Sequence, residues 1–272
     1  MTSIGISVSP TKSQFGPLLF SGELFYGLEQ IKKYGYDGVE LSLLDSQRVD
    51  QDSIMKKIDQ LGLSVFAIAT GQTFVTDGCG LYSCYEEKRK KAQDRLFHHI
   101  DFAARLNCNV IIGGIRGKIE DTCDNFAEII KKGNGAVAEC AHYGEKKRVT
   151  LLIEPINRYE SNVINRLDQG LELIHTIDSE HIKLLPDTYH MNIEEQSIEK
   201  SLIEAGSCID YVHFADNNRM APGWGHIDFS KILATLKEIA YAGPIGVEIL
   251  PKPDHHQAAQ QAIQYLRKIV NY

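Results

Sequence analysis

The sequence predicts an α/β fold in which eight parallel strands and eight helices close into a single (β/α)8 TIM barrel. Three observations carry the prediction. Short apolar, β-branched runs alternate with longer amphipathic stretches from one end of the chain to the other. Each parallel strand needs a crossover helix to reach the next. The 272 residues suit a fold for which about 250 are typical.

The chain opens on a β-branched run, Ile4–Val8, followed by an amphipathic stretch, Glu23–Tyr34. Strand two is expected at Gly38–Leu43 with its helix at Gln51–Leu61, and strand three at Ser64–Ala69 with Glu86–Leu106. Strand four is expected at Asn109–Gly113 with Asn125–His142. In the third helix Leu96, Ile100, Ala103 and Ala104 fall at the i, i+4, i+7, i+8 spacing of one buried stripe. The second half keeps the rhythm: Thr150–Glu154 with Asp168–Ile177, then Lys183–Pro186 with Ile198–Glu204. Tyr211–Phe214 with Phe229–Ile239 and Ile245–Ile249 with Gln257–Val270 complete it. The phrases Tyr34–Glu40 and Tyr241–Glu248 look like equivalent αβ turns, in each of which a Gly ends the helix and an apolar strand follows. No Pro/Gly/Ser-rich linker or low-complexity tract interrupts residues 1–272, so one domain is expected. An open doubly wound sheet that bound a dinucleotide would want G-x-G-x-x-G after its first strand, and none stands there.

A chain of this size buries most of its apolar surface and needs neither a disulfide nor a structural zinc to fold. Its 43% hydrophobic and 24% charged residues are ordinary globular values. The formal charge is −7 and there is no long basic run, since Glu145–Arg148 is short and mixed in sign. Affinity for nucleic acid comes from Lys and Arg on phosphates, so this balance argues against that partner and against adhesion to an anionic membrane. Cys79, Cys84, Cys108, Cys123, Cys140 and Cys208 contain no C-x-x-C pair and are expected to be reduced, mostly buried thiols. No basic region followed by an apolar stretch opens the sequence, and no run approaches the roughly 20 apolar residues of a spanning helix. A cytoplasmic location is expected.

In such barrels the working residues stand at the C-terminal strand ends and in the loops after them. Four consecutive late strands end in an ionisable residue: Leu151-Leu152-Ile153 runs into Glu154, Leu184-Leu185-Pro186 into Asp187, Tyr211-Val212 into His213 and Gly246-Val247 into Glu248. One such carboxylate usually caps a helix or meets an Arg. Four in succession would converge on one rim, where three negative charges repel unless a cation sits among them. Three carboxylates and one imidazole suit Mn²⁺, Mg²⁺ or Co²⁺ better than a closed structural zinc site, which favours thiolates. The loops beyond are dense in polar groups: Glu154-Pro-Ile-Asn-Arg-Tyr-Glu160, Asp187-Thr-Tyr-His-Met-Asn-Ile-Glu-Glu195, and His213 through His226. The last carries Pro-Gly-x-Gly before a helix capped near Asp228.

These segments, in order and correctly spaced, resemble the ketose 3-epimerase (D-tagatose/D-psicose 3-epimerase) branch of the xylose-isomerase-like barrel superfamily. The matching pieces are E-P-x-N-R-Y-E, D-T-Y-H-M-N-I-E-E, H-x-A-D-N-N-R-x-x-P-G-x-G and G-V-E, between about Val149 and Leu250. The resemblance implies a metal held by Glu154, Asp187, His213 and Glu248, with Mn²⁺ first and Mg²⁺, Co²⁺ or Zn²⁺ as alternatives. It implies that Glu154 and Glu248 are the acid–base pair. Glu160, His190 and Arg219 are then the contacts to the sugar near its carbonyl and hydroxyl oxygens, and assembly is as a homodimer or homotetramer. Two departures stand out. The small, polar Ile6-Ser-Val-Ser-Pro10 replaces an aromatic-rich first loop, and Ala215-Asp216 replaces the usual Gly-Glu pair. The H-x-A-D-N-x-R form is closer to a sub-branch that includes 3-dehydro-glycoside 4-epimerases.

The implied reaction inverts a carbon next to a ketone, at C3 of a ketose or the equivalent carbon of a keto-glycoside. One carboxylate removes a proton to give a cis-enediolate and the other returns one to the opposite face, while a metal acts as Lewis acid. An aldose–ketose isomerase on the same site and a non-catalytic sugar-binding barrel are the alternatives, and a DNA-repair endonuclease would want a His-rich cluster and a basic face. The glycine-rich, basic Ile112–Lys118 could cradle a phosphate. The loop Gly71–Tyr85 could cover the pocket or form an assembly surface, and Trp224 could stack on the sugar or pack its own loop.

Overall fold

A computed structural model describes residues 2–177 and 179–270. The strands are β1 (Ile4–Val8), β2 (Gly38–Ser42), β3 (Ser64–Ala69), β4 (Asn109–Ile112), β5 (Leu151–Ile153), β6 (Ile182–Leu184), β7 (Val212–His213) and β8 (Ile245–Val247). All pair in parallel in the order β6-β5-β4-β3-β2-β1-β8-β7. The remaining seam, between β6 and β7, is joined by the single bridges Leu184–Ile209 and Asp187–His213. The expected (β/α)8 barrel is therefore what the chain forms.

The period-2 alternation of strands sorts side chains between two cores. Ile4, Ile6, Val8, Val39, Leu41, Val110, Ile112, Leu151 and Ile153 face the helices and join the large outer core. Ala67, Ala69, Ile111, Leu152, Leu185 and Tyr211 form a second, small cluster inside the barrel. Phe66 packs against it over two strand glycines. A Cβ on Gly5 would stand 2.6 Å from the Phe66 ring, and one on Gly38 would stand 2.7 Å from it. The barrel floor is thus a packed layer, not a pore.

The outer ring consists of α1 (Leu24–Tyr34), α2 (Gln51–Leu61), α4 (Glu86–Leu106), α5 (Phe126–Lys147), α6 (Leu167–Thr176), α8 (Ile198–Ala205), α9 (Phe229–Glu238) and α10 (His255–Val270). Two short helices, α3 (Gln72–Asp77) and α7 (Thr188–Glu194), lie where loops are expected from the sequence. Helix α7 forms because Asp187 caps it, its carboxylate accepting from the backbone N–H of Tyr189 and His190. Helix α3 is tied to the long α4 by the ion pair of Asp77 with Arg95. Strands β5 and β8 stop one residue before Glu154 and Glu248, where the chain leaves the ladder for its loop. Strand β6 stops three residues before Asp187.

Two expectations need correction. Gly35 closes α1 in the left-handed conformation, but the equivalent place after α9 is taken by Ala240, at φ +56°, and not by Gly243. Gly243 is required instead because a Cβ there would stand 2.6 Å from the Asp210 carbonyl and collide with the Tyr241 hydroxyl. The thiols are not all free: Cys84 and Cys123 form a disulfide, with Cα atoms 6.1 Å apart across a separation of 39 residues. The loops that precede α4 and α5 fold over the same rim, a proximity that spacing along the chain cannot show. Cys79, Cys108, Cys140 and Cys208 are free, and all but Cys208 are buried.

Candidate active site and metal centre

The inner-face positions at the top of the barrel decide which side chains meet. One ligand atom from each of Glu154, Asp187, His213 and Glu248 lies within 4.8 Å of the others, and all four side chains are buried. Asp187 and His213 are bridge partners across the closing seam. Thr188 holds that seam from the side, its hydroxyl donating to the Ala215 carbonyl at 2.7 Å and accepting from the Ala215 N–H at 3.0 Å.

Two atoms aimed into the cluster, Asp187 Oδ2 and His213 Nδ1, are buried without a hydrogen-bond partner. His213 Nδ1 stands 3.6 Å from both Glu154 Oε1 and Asp187 Oδ2. Buried acceptors without donors are costly, and this oxygen-rich set with one imidazole fits a borderline-hard divalent cation. The residues therefore fit a metal ion.

Charge organises the surroundings. Burial alone would raise the Asp187 carboxyl, but His190, His213 and Arg219 hold it down to about 2. Burial, reinforced by the charge of Glu154, pushes Glu248 up to about 8 against the opposing pull of Arg219. Arg219 binds two carboxylates at once: Nη2 donates to Glu248 Oε2 at 2.7 Å and Nη1 to Glu160 Oε1 at 3.1 Å. Its guanidinium lies over the Tyr189 ring at 4.8 Å, a geometry only the planar fork of Arg supports so well. The Arg219 backbone sits at φ +58°, which turns the side chain inward from a tight loop.

His190 is buried beside this array. Its Nδ1 accepts from the Asn157 side-chain amide at 2.7 Å and from the Asn157 N–H at 3.3 Å. The neutral ring, its basicity lowered by burial, therefore carries its proton on Nε2. The same Asn157 amide donates to Glu160 Oε1 at 2.9 Å. Burial tends to raise the Glu160 carboxyl, but Arg219, His190 and Asn157 hold it below the usual carboxylate range.

A cavity of about 200 Å³ opens above the cluster. Glu154, Glu160, His190, His213, Arg219 and Glu248 line one side of it, at the ends of the strands from β5 to β8 and in the segments that follow them. Phe15, Thr70, Phe74, Val75 and the glycines of 113–117 line the other. Polar groups converging on one side of a concave, otherwise apolar site suit a small polyhydroxylated molecule.

Residues 28–269 match the xylose isomerase-like TIM barrel family. The chain belongs to that family. L-ribulose 3-epimerase of Methylomonas sp. (strain DH-1) is 32% identical over 226 residues, which cover 79% of this chain and 74% of that protein. The 3-dehydro-D-guloside 4-epimerase of Escherichia coli (strain K12) is 34% identical over 116 residues, 46% of this chain and 44% of that one. A solved structure of L-ribulose 3-epimerase superposes with a TM-score of 0.84 at 27% identity, covering 100% of this chain and 95% of the other. These relatives of the barrel family are named as epimerases, and the chain is a carbohydrate isomerase of that kind.

For this family member the structure also sorts the sequence departures. The aromatic missing from Ile6–Pro10 is supplied a few residues later by Phe15, which lines the cavity and lies 5.8 Å from the Arg219 guanidinium. Asp216 is fully buried and acts on its own loop, accepting from the N–H groups of Gly223, Gly225, Ile227 and Asn217. Trp224 packs against the core and is not among the residues lining the cavity. The loop Gly71–Tyr85 does cover the pocket, through Gly71, Phe74 and Val75. Within the glycine-rich segment Arg116 does not face the cavity: it is fully buried, donating to the Ile112 and Ile164 carbonyls, and burial lowers it to about 10. Lys118 alone of its basic residues reaches the rim, where it donates to the Tyr159 carbonyl at 2.8 Å.

Sequence reasoning missed Glu40, which is wholly buried inside the barrel with Oε2 2.6 Å from His213 Nε2. The signal was present: Gly38-Val-Glu40 repeats Gly246-Val-Glu248. Among the described residues, no helix is long and apolar enough to cross a membrane.

Proposed function

We propose that the protein is a metal-dependent ketose 3-epimerase, or an epimerase of the equivalent carbon of a keto-glycoside. The observation that carries the reading is the convergence of Glu154, Asp187, His213 and Glu248 beneath a cavity lined by Glu160, His190 and Arg219. Glu154, Asp187, His213 and Glu248 would hold the ion, Mn²⁺ in the first instance. A divalent cation bound there supplies Lewis acidity toward a ketone oxygen.

The remaining chemistry belongs to the side chains. Glu154 removes the proton from the carbon beside the ketone, giving a cis-enediolate. Glu248, just past a strand three places further round the barrel, returns a proton to the other face. Inversion needs two such groups, because a single base tends to restore the original centre. Arg219, bonded to Glu248 at 2.7 Å, holds that carboxylate in place. The Nε2–H of His190 donates to the developing oxyanion, a preorganised interaction in a site that water leaves. Glu160, held by Asn157 and Arg219, orients the carbonyl end of the sugar. We take the chain as one domain that acts on a sugar without nucleic acid or membrane partners and assembles as a homodimer or homotetramer.

Glu154→Gln and Glu248→Gln remove one proton carrier each while keeping shape. Each is expected to lower kcat by on the order of 10³-fold or more, with the circular-dichroism spectrum of the wild type. Chromatography of the products from free, phosphorylated and 3-keto sugars separates an epimer from an aldose. Wild-type turnover that yields only an aldose would make the enzyme an aldose–ketose isomerase instead.

A further inference from the structure

Glu40 stands on the inner face of β2, outside the cavity lining, and is wholly buried. A carboxylate there is costly unless its oxygens are bonded. Both are. Ser7, its register partner on β1, donates from Oγ to Oε1 at 2.7 Å, and His213 Nε2 meets Oε2 at 2.6 Å. With Ser7 donating to Oε1, the 2.6 Å contact to Oε2 is met by a hydrogen on Nε2 of His213, which donates to the carboxylate. In the neutral ring, the form that can ligate a cation, the lone pair is then left on Nδ1, the atom that faces Glu154 and Asp187 with no hydrogen-bond partner of its own.

The ring is also fixed in orientation. Tyr211 packs edge-on against His213 with ring centroids 5.2 Å apart. Gly246 clears the space beside the ring, since a Cβ there would stand 2.9 Å from His213 Cδ2 and collide with the Tyr211 hydroxyl. The two copies of the Gly-Val-Glu phrase thus have different tasks: Glu248 faces the cluster directly, and Glu40 acts on a neighbour.

We propose that Glu40 is the positioning residue of the metal centre, holding His213 as the Nε2–H tautomer so that Nδ1 is presented to the cation. The inference rests on the metal-binding reading of the four-residue cluster. Outer carboxylates that receive the second ring N–H of a ligating His orient the ring and raise its basicity, and their loss typically weakens metal binding about 10–100-fold.

The test is calorimetric titration of Mn²⁺ into metal-stripped wild type, Glu40→Gln and Ser7→Ala, with thermal unfolding of each metal-free protein measured alongside. Glu40→Gln keeps the shape and removes the charge, so its Kd should rise by about 10–100-fold. Ser7→Ala leaves the carboxylate but frees one of its oxygens, so its Kd should rise by a smaller factor in the same direction. It carries the test if Glu40→Gln fails to fold. In protein labelled with ¹⁵N-histidine and loaded with diamagnetic Mg²⁺, His213 should show its proton on Nε2. Unchanged Mn²⁺ affinity in the folded variants, or a proton on Nδ1 of His213, overturns the proposal. A wild type that binds no Mn²⁺ overturns the metal reading and this inference together, an outcome distinct from wild-type binding that the variants share.

Discussion

Gly113 stands so close to Glu154 that a Cβ on it would collide with the carboxylate Oε2. Gly113→Ala is therefore expected to displace Glu154 without opening the barrel. A shift of about 1 Å in a catalytic group can cost roughly 10²-fold in rate. Steady-state kinetics should show that order of loss in kcat/KM while the protein remains folded by circular dichroism. The four cluster residues could be read from sequence because each follows a short apolar run, and the period-2 alternation of that run aims them inward. Glu40 obeys the same rule but lies on an early strand, remote from the dense polar loops, so its pairing with His213 becomes visible only when β2 and β7 face a common barrel interior. The place of Arg116 was not legible for a similar reason. Its spacing in a glycine-rich segment says nothing about whether it points to solvent or to the Ile112 and Ile164 carbonyls.

Among the elements, strands and long helices were legible through their periodicity, and the rim was not. Helices α3 and α7 are 6 and 7 residues long, too short to show a repeating apolar stripe, and both depend on tertiary anchors. For α7 the anchor is the Asp187 cap, and for α3 it is the Arg95 pair. The Cys84–Cys123 bridge belongs to this scale, since it ties the loop before α4 to the loop before α5. In the chain-entropy account, a loop of this size contributes about 3–4 kcal/mol by restricting the unfolded chain. Oxidised Cys84→Ser protein should accordingly unfold several degrees below the wild type, and dithiothreitol should bring the wild type down to the same Tm. Equal melting curves with and without reductant would show that the bridge adds nothing to stability.

For the whole molecule, the barrel places three carboxylates and an imidazole in one buried cluster, where a cation would offset repulsion that burial otherwise magnifies. Metal binding should then stabilise the fold. At a hundredfold excess over Kd, Mn²⁺ adds about 2.7 kcal/mol, a rise of several degrees in Tm for a chain of this length. Chelation should abolish both the rise and the activity, readdition should restore them, and His213→Ala should show no rise. In the proposed reaction Glu154 and Glu248 move a proton off and onto the carbon beside a ketone. Turnover of a ketose in D₂O, followed by NMR of the product, tests it most directly. One deuterium is expected at the inverted carbon of the epimer and none in the sugar exposed to Glu154→Gln. Epimer formed by the wild type with hydrogen fully retained at that carbon would contradict it.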